Sequence, residues 1–192
     1  MVSEPAPLRP PPLPLVASSV RIAPPPRPAM WHVTLMGGLR WHAAGVEPRL
    51  AIAGARRLGP ITLGLVGSLG AGVDTSTVAF AGTWHDRTLG ARVGRAFPRG
   101  GLALSIALGP SLHVTSIRGQ LAAGGNAAQR HANLLGLDAE GAALWRRGSL
   151  AIGAVVGATW IPWRPRYTVG GAPVFTVGHG ELEVGITVGV TR

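Results

Sequence analysis

Long stretches of this chain alternate with a period of two, and each time with the same asymmetry. Large apolar residues occupy one side, and Gly, Ala, Ser, Thr and a few charges occupy the other. Trp31 to Trp41 is the plainest case: Trp31, Val33, Leu35, Gly37, Leu39 and Trp41 face one way, and His32, Thr34, Met36, Gly38, Arg40 and His42 the other. A period of two is that of a β-strand, whose successive side chains point to opposite faces of the sheet. Seven further runs repeat it, around Leu50 and Ile52, then at Ile61–Val73, Thr88–Phe97, Leu102–Val114, Leu135–Trp145, Leu150–Trp160 and Glu181–Thr191. These are eight strands of one kind, and they predict an all-β, antiparallel fold.

The connections carry a second regularity. Residues 57–60, 98–101 and 146–148 are tight turns containing Gly. They alternate strictly with the links 43–47, 74–86, 115–131 and 161–180, of which all but the first are much longer. Short turns at one end and long loops at the other describe an up-and-down barrel. An even strand number then brings the last strand beside the first.

Which face of that barrel meets solvent follows from the composition. Only 14% of residues are charged, Gly contributes 29 of 192, and every one of the 18 basic residues is Arg. A soluble, lipocalin-like barrel would turn the large apolar side inward and leave an exterior of Gly and Ala, which protects no strand from pairing with its neighbours. The inverted arrangement removes the difficulty. Leu, Ile and Val then face acyl chains, and small residues fill an interior that eight strands leave only just wide enough for side chains. Ten strand steps of ~3.3 Å at a tilt of ~40° project to ~25 Å, the height of an outer-membrane apolar belt. A helical membrane protein fits less well. The uncharged run 100–117 is long enough to span, but it contains Pro110 and alternates throughout.

Aromatic residues mark both borders of the band. Trp31, Phe97 and Trp145 fall at short-turn ends of strands, and Trp41 and Trp160 at long-loop ends, as membrane-interface girdles would. Phe80 and Trp84 do not fit this scheme, and predict either a bulge near Asp86 or a place in a loop. Arg95 points toward lipid by phase, close enough to Phe97 to reach the interface.

Residues 1–29 are of another kind. Ten of the 17 prolines lie between positions 5 and 28, a composition that favours extended polyproline II. The segment reads as a Pro-rich tail or linker, available to a periplasmic or cell-wall partner, with the barrel occupying 30–192. It has neither the basic start nor the uninterrupted apolar run of a signal peptide, so an export signal is expected upstream or already removed.

Over residues 31–192 the pattern resembles the small eight-stranded outer-membrane barrels of Gram-negative bacteria, the OmpA/OmpX-type superfamily. The resemblance lies in the strand pattern, not in a motif. It implies an outer-membrane location with periplasmic termini and extracellular long loops. One departure is the ending Val190-Thr191-Arg192, where such barrels commonly carry a terminal aromatic residue.

Charge inside the barrel supplies the candidate site. Arg40, Arg49, Arg92, Asp138, Glu140, Glu181 and Glu183 all fall on the small-residue, lumen face. Buried charges need partners, so these residues are expected to form ion pairs: Arg40 with Glu181 and Glu183, and Arg92 with Asp138 and Glu140. His42, His85, His113, His131 and His179 map toward the long-loop rim without the spacing of a metal motif. Neither a metal nor a cofactor is expected. Some eight-stranded barrels act on lipid A or phospholipid through a His–Ser pair on the wall; the candidates here are Ser111 and His113, but both fall on the lumen face by phase and nothing in the sequence orients the imidazole. The expectation is a monomeric structural barrel contacting outer-membrane lipid, with no catalytic residues and no nucleic-acid partner.

Overall fold

A computed structural model describes residues 30–43, 45–77, 80–121, 128–163, 166–169 and 172–192; the Pro-rich segment 1–29 lies outside the described residues. Eleven strands and no helix are found among them: β1 (Trp31–His42), β2 (Gly45–Leu58), β3 (Ile61–Gly70), β4 (Val73–Thr77), β5 (Phe80–Arg99), β6 (Leu102–Leu121), β7 (Ala128–Arg147), β8 (Leu150–Trp160), β9 (Arg166–Val169), β10 (Ala172–Thr176) and β11 (Gly180–Thr191). Eight of these close a ring. Each of β1, β2, β3, β5, β6, β7 and β8 pairs with the next, and β11 joins β8 to β1, with every pairing antiparallel. Closure removes every free edge from the ring. The short turns hold Gly59, Gly100 and Gly148 at φ 62°, 61° and 63°, a left-handed conformation that glycine adopts without a Cβ clash.

The outward face is the large-residue face in every barrel strand. Leu65, Ile106, Leu135, Val156, Leu182 and Ile186 are each more than half exposed on the barrel wall. Trp31, Phe97 and Trp145 stand outward at the short-turn end, and Trp41 and Trp160 at the other. Arg56 lies over the Trp31 ring at 5.4 Å, and Arg95 over Phe97 at 5.2 Å. Beyond the second girdle the outward positions turn polar, with Arg87 and His85 on β5, Ser116 and Arg118 on β6, and Asn133 and His131 on β7.

Three features correct the sequence reading. The links 74–86 and 115–131 are largely strand: β5, β6 and β7 each run for 20 residues, past the apolar band. The link 161–180 holds a hairpin of β9 and β10, and β4 adds a short strand alongside β5. Third, no bulge displaces Phe80 or Trp84. Both keep the inward phase of β5 and are buried, together with Ile117, Leu134, Ile161, Tyr167 and Val177, in an apolar cluster at the long-loop end. The small-inside rule fails there because the strands have left the apolar band, so an inward side chain can pack beneath the loops.

Candidate functional site in the barrel lumen

Beneath that apolar cluster the lumen holds a buried ionic network. Its centre is Arg40 on β1, whose side chain is 4% exposed. Closure of β11 on β1 sets Arg40 opposite Glu183, with Glu181 two residues along the same face. Nη1 of Arg40 donates to Glu181 Oε2 and to Asp86 Oδ2, both at 2.8 Å, and Nη2 donates to Glu183 Oε2 at 3.1 Å. One guanidinium thus bridges β1, β5 and β11, using the fixed fork that makes Arg suited to several carboxylates at once.

Arg49 on β2 reaches the same centre. Its Nη1 donates to Asp86 Oδ2 at 3.2 Å and its Nε to Ser68 Oγ at 2.9 Å, while Nη2 donates to Ser68 and to Thr88. Glu47 lies fully buried beside it, 3.9 Å from Arg49 Nη1, and accepts from the Gly72 amide at 3.2 Å. Space for that carboxylate comes from Gly70, where a Cβ would collide with Glu47 Oε1. On the far wall, Arg92 bonds Glu140 and lies 3.7 Å from Asp138. The seven sequence-predicted lumen charges therefore fall into two groups: Arg40, Arg49, Glu181 and Glu183 in one, Arg92, Asp138 and Glu140 in the other.

The structure adds Asp86 and Glu47 to that set. Asp86 shares the inward phase of Thr88 and Arg92, but the large Trp84 beside it hides that phase in the sequence. Glu47 lies at the end of the link 43–47, where β2 in fact begins at Gly45. Asp86 is fully buried, and its Oδ2 also accepts from Thr88 at 3.2 Å.

His113 is a further correction. It does not sit at the rim but is wholly buried within the lumen. Its Nδ1 lies 3.0 Å from Asp86 Oδ2 and its Nε2 3.1 Å from Ser111 Oγ, with Gly136 leaving room for the ring. Asp86 thus orients the imidazole, and Asp86, His113 and Ser111 stand in the sequence of a hydrolytic triad. Ser111 Oγ, however, also has Asp138 Oδ1 as an acceptor at 2.9 Å, to which Thr159 donates at 2.8 Å. A nucleophilic hydroxyl must give its proton to the imidazole; here the Asp138 carboxylate competes for that proton, and Ser111 is only 2% exposed. Asp86, His113 and Glu181 also bring ligand atoms close enough to hold a metal ion. The guanidinium of Arg40 already bridges the two carboxylates of that group, supplying their cation.

Above the network, β9 is tied to the wall by Tyr167, whose hydroxyl meets Thr115 Oγ1 at 2.8 Å. Burial pushes its phenol above the ordinary range, and the Thr115 bond pulls the other way. The His42 ring packs on Trp84 with centroids 4.6 Å apart. His85, His131 and His179 lie on three different strands or links, and none joins the buried cluster. His131 meets Gln129 and His179 the Ile161 carbonyl.

No protein-family model and no curated protein matches the chain. Solved structures do. A major outer membrane protein from Thermus thermophilus superposes with a TM-score of 0.63 at 13% identity, over 85% of this chain and 99% of that one. Neisserial surface protein A gives 0.56 at 11% identity, covering 84% and 96%. The N-terminal β-barrel domain of OprF from Pseudomonas aeruginosa gives 0.55 at 12%, covering 85% and 97%. This chain therefore has the all-β, eight-stranded antiparallel fold of small outer-membrane barrels.

Proposed function

We propose that this protein is an outer-membrane barrel that serves structurally, as an envelope anchor or a platform for its long loops, and carries out no catalysis. The observation that carries the reading is the outward face: a closed ring whose outward positions carry large apolar side chains through a continuous band, bordered at both ends by indoles. Water would leave that band unsolvated all round, far beyond the few hundred Å² of apolar patch that soluble monomers tolerate, whereas lipid solvates it. The termini then lie on the periplasmic, short-turn side, and the extended hairpins outside the cell.

The lumen supports a static role. Its extracellular half is filled by the ionic network and the apolar cluster above it, and Ser111 is buried, with the Asp138 carboxylate competing with His113 for its proton. The lipid-hydrolase reading of Ser111 and His113 loses support on that ground. The Pro-rich segment 1–29, as a separate region ahead of the 30–192 barrel, is proposed to reach a periplasmic or cell-wall partner. The barrel itself is proposed to be monomeric, to touch only lipid, and to bind neither nucleic acid nor cofactor.

Cell fractionation, followed by gel mobility with and without boiling, tests this. Recovery in the outer membrane, with a compact band that shifts on boiling and no fatty acid released from added phospholipid, is expected. A cytosolic protein with one band, or lipid release abolished by Ser111→Ala, would contradict it.

A further inference from the structure

The two halves of the lumen are built differently, and the half away from the network is hollow. Toward the short-turn end many inward side chains are small, among them Ala53 and Ala55 on β2, Ala107 on β6, Ala142 on β7 and Ala151 on β8, with hydroxyls such as Thr34 and larger groups such as Leu144 between them. They line part of a half-open cavity of about 150 Å³. That is about five times the ~30 Å³ that one water occupies, and the size of an engineered apolar cavity that takes up benzene. Its inner end is the Arg92–Glu140 pair, and its outer end carries His32 and Arg146.

The charged side chains at that outer end are of one sign. Arg57 on β2, also inward by phase, lies near enough to Arg146 and His32 to act on both electrostatically. No carboxylate pairs with Arg57, Arg146 or His32 among the described residues; Arg57 Nε bonds the Gly59 carbonyl, and His32 Nδ1 the Thr191 hydroxyl at 2.8 Å. The Nε groups of Arg92 and Arg146, both on the cavity wall, are buried without a hydrogen-bond partner. Carboxylates crowd the other half of the lumen, yet this end has a cationic mouth over an apolar chamber.

We propose that the cavity is a binding site for a small amphipathic carboxylate, with an apolar body up to the size of a benzene ring among the alanines and its carboxylate at Arg146 and Arg57. An apolar body displaces poorly held water from the Ala and Gly walls. The carboxylate supplies the acceptor that the Arg146 guanidinium lacks, as a charge-assisted bond. A neutral ligand would gain the first contribution but not the second. The site depends on barrel closure and not on where the barrel resides, so it can fail while the proposed function stands.

The probe is 4-fluorobenzoate, followed by fluorine NMR with the full chain folded in detergent micelles. Folding of each variant is checked by its boiling-sensitive gel band. Saturable binding is expected, at least fivefold weaker for Arg146→Gln and at least fivefold weaker for 4-fluorobenzyl alcohol, the neutral analogue. It should be lost in Ala142→Phe, which fills the chamber; should that variant not fold, Ala53→Leu on the opposite wall serves in its place. Binding that does not saturate, that survives filling of the chamber, or that is as tight for the alcohol would overturn the proposal.

Discussion

Arg40 ties this interior together across the barrel seam, because three carboxylates from two other strands converge on its two terminal nitrogens. Removing one partner from a buried ionic cluster leaves the others charged without compensation, typically at a cost of ~3–5 kcal/mol. Arg40→Met should lower stability by about that amount, read as the urea midpoint of the barrel in lipid vesicles. Adding Glu181→Gln to the same chain should recover part of the loss, since it removes one stranded charge. An unchanged midpoint for Arg40→Met would show that the network adds nothing to the fold. The residue scale is also where sequence reading was least complete. Arg40, Glu181 and Glu183 lie in runs of unbroken alternation, so their shared face could be read directly. Asp86 could not, because Trp84 and Phe80 beside it are large residues that point inward. Distance along the strand puts His113 toward the rim, but it says nothing about how far the wall extends above it.

Along single strands, the tightest constraint is on β5 and β6 around Pro110. Pro110 has no N–H to offer the ladder. The pairing runs regularly through Gly90–Ser111 and resumes in the same register at Val93–Leu108, so the gap falls at the proline and its neighbour. Gly109 sits in that gap, where a Cβ would collide with the Ala91 carbonyl oxygen. Gly109→Ala should therefore fail to give the boiling-sensitive folded band. Gly54→Ala, whose Cβ meets nothing within 4 Å on the outward face, should fold at least as well as the parent, because it only restricts the unfolded chain. Equal folding of both variants would contradict the close approach. Eight strands and their facing could be read in the sequence because period and asymmetry reinforce one another. The lengths of β5, β6 and β7 could not, since alternation with polar residues on the outside looks like a loop once the apolar band ends.

Taken whole, the described residues form a closed ring of strands with an asymmetric filling: apolar cluster, ionic network, then a chamber with a cationic mouth. Large residues line its outside in every barrel strand, so the entire account depends on that surface facing hydrocarbon. The absence of Cys from the chain allows a direct check, with a single nitroxide label placed at successive positions of β8 from Leu150 to Trp160. Oxygen, which concentrates in the bilayer, would be used to relax each label in reconstituted vesicles. The account predicts a period of two, with high oxygen accessibility at Leu150, Ile152, Ala154, Val156 and Ala158 and low accessibility at Ala151, Gly153, Val155, Gly157 and Thr159. The opposite phase, or accessibility without a period, would contradict it.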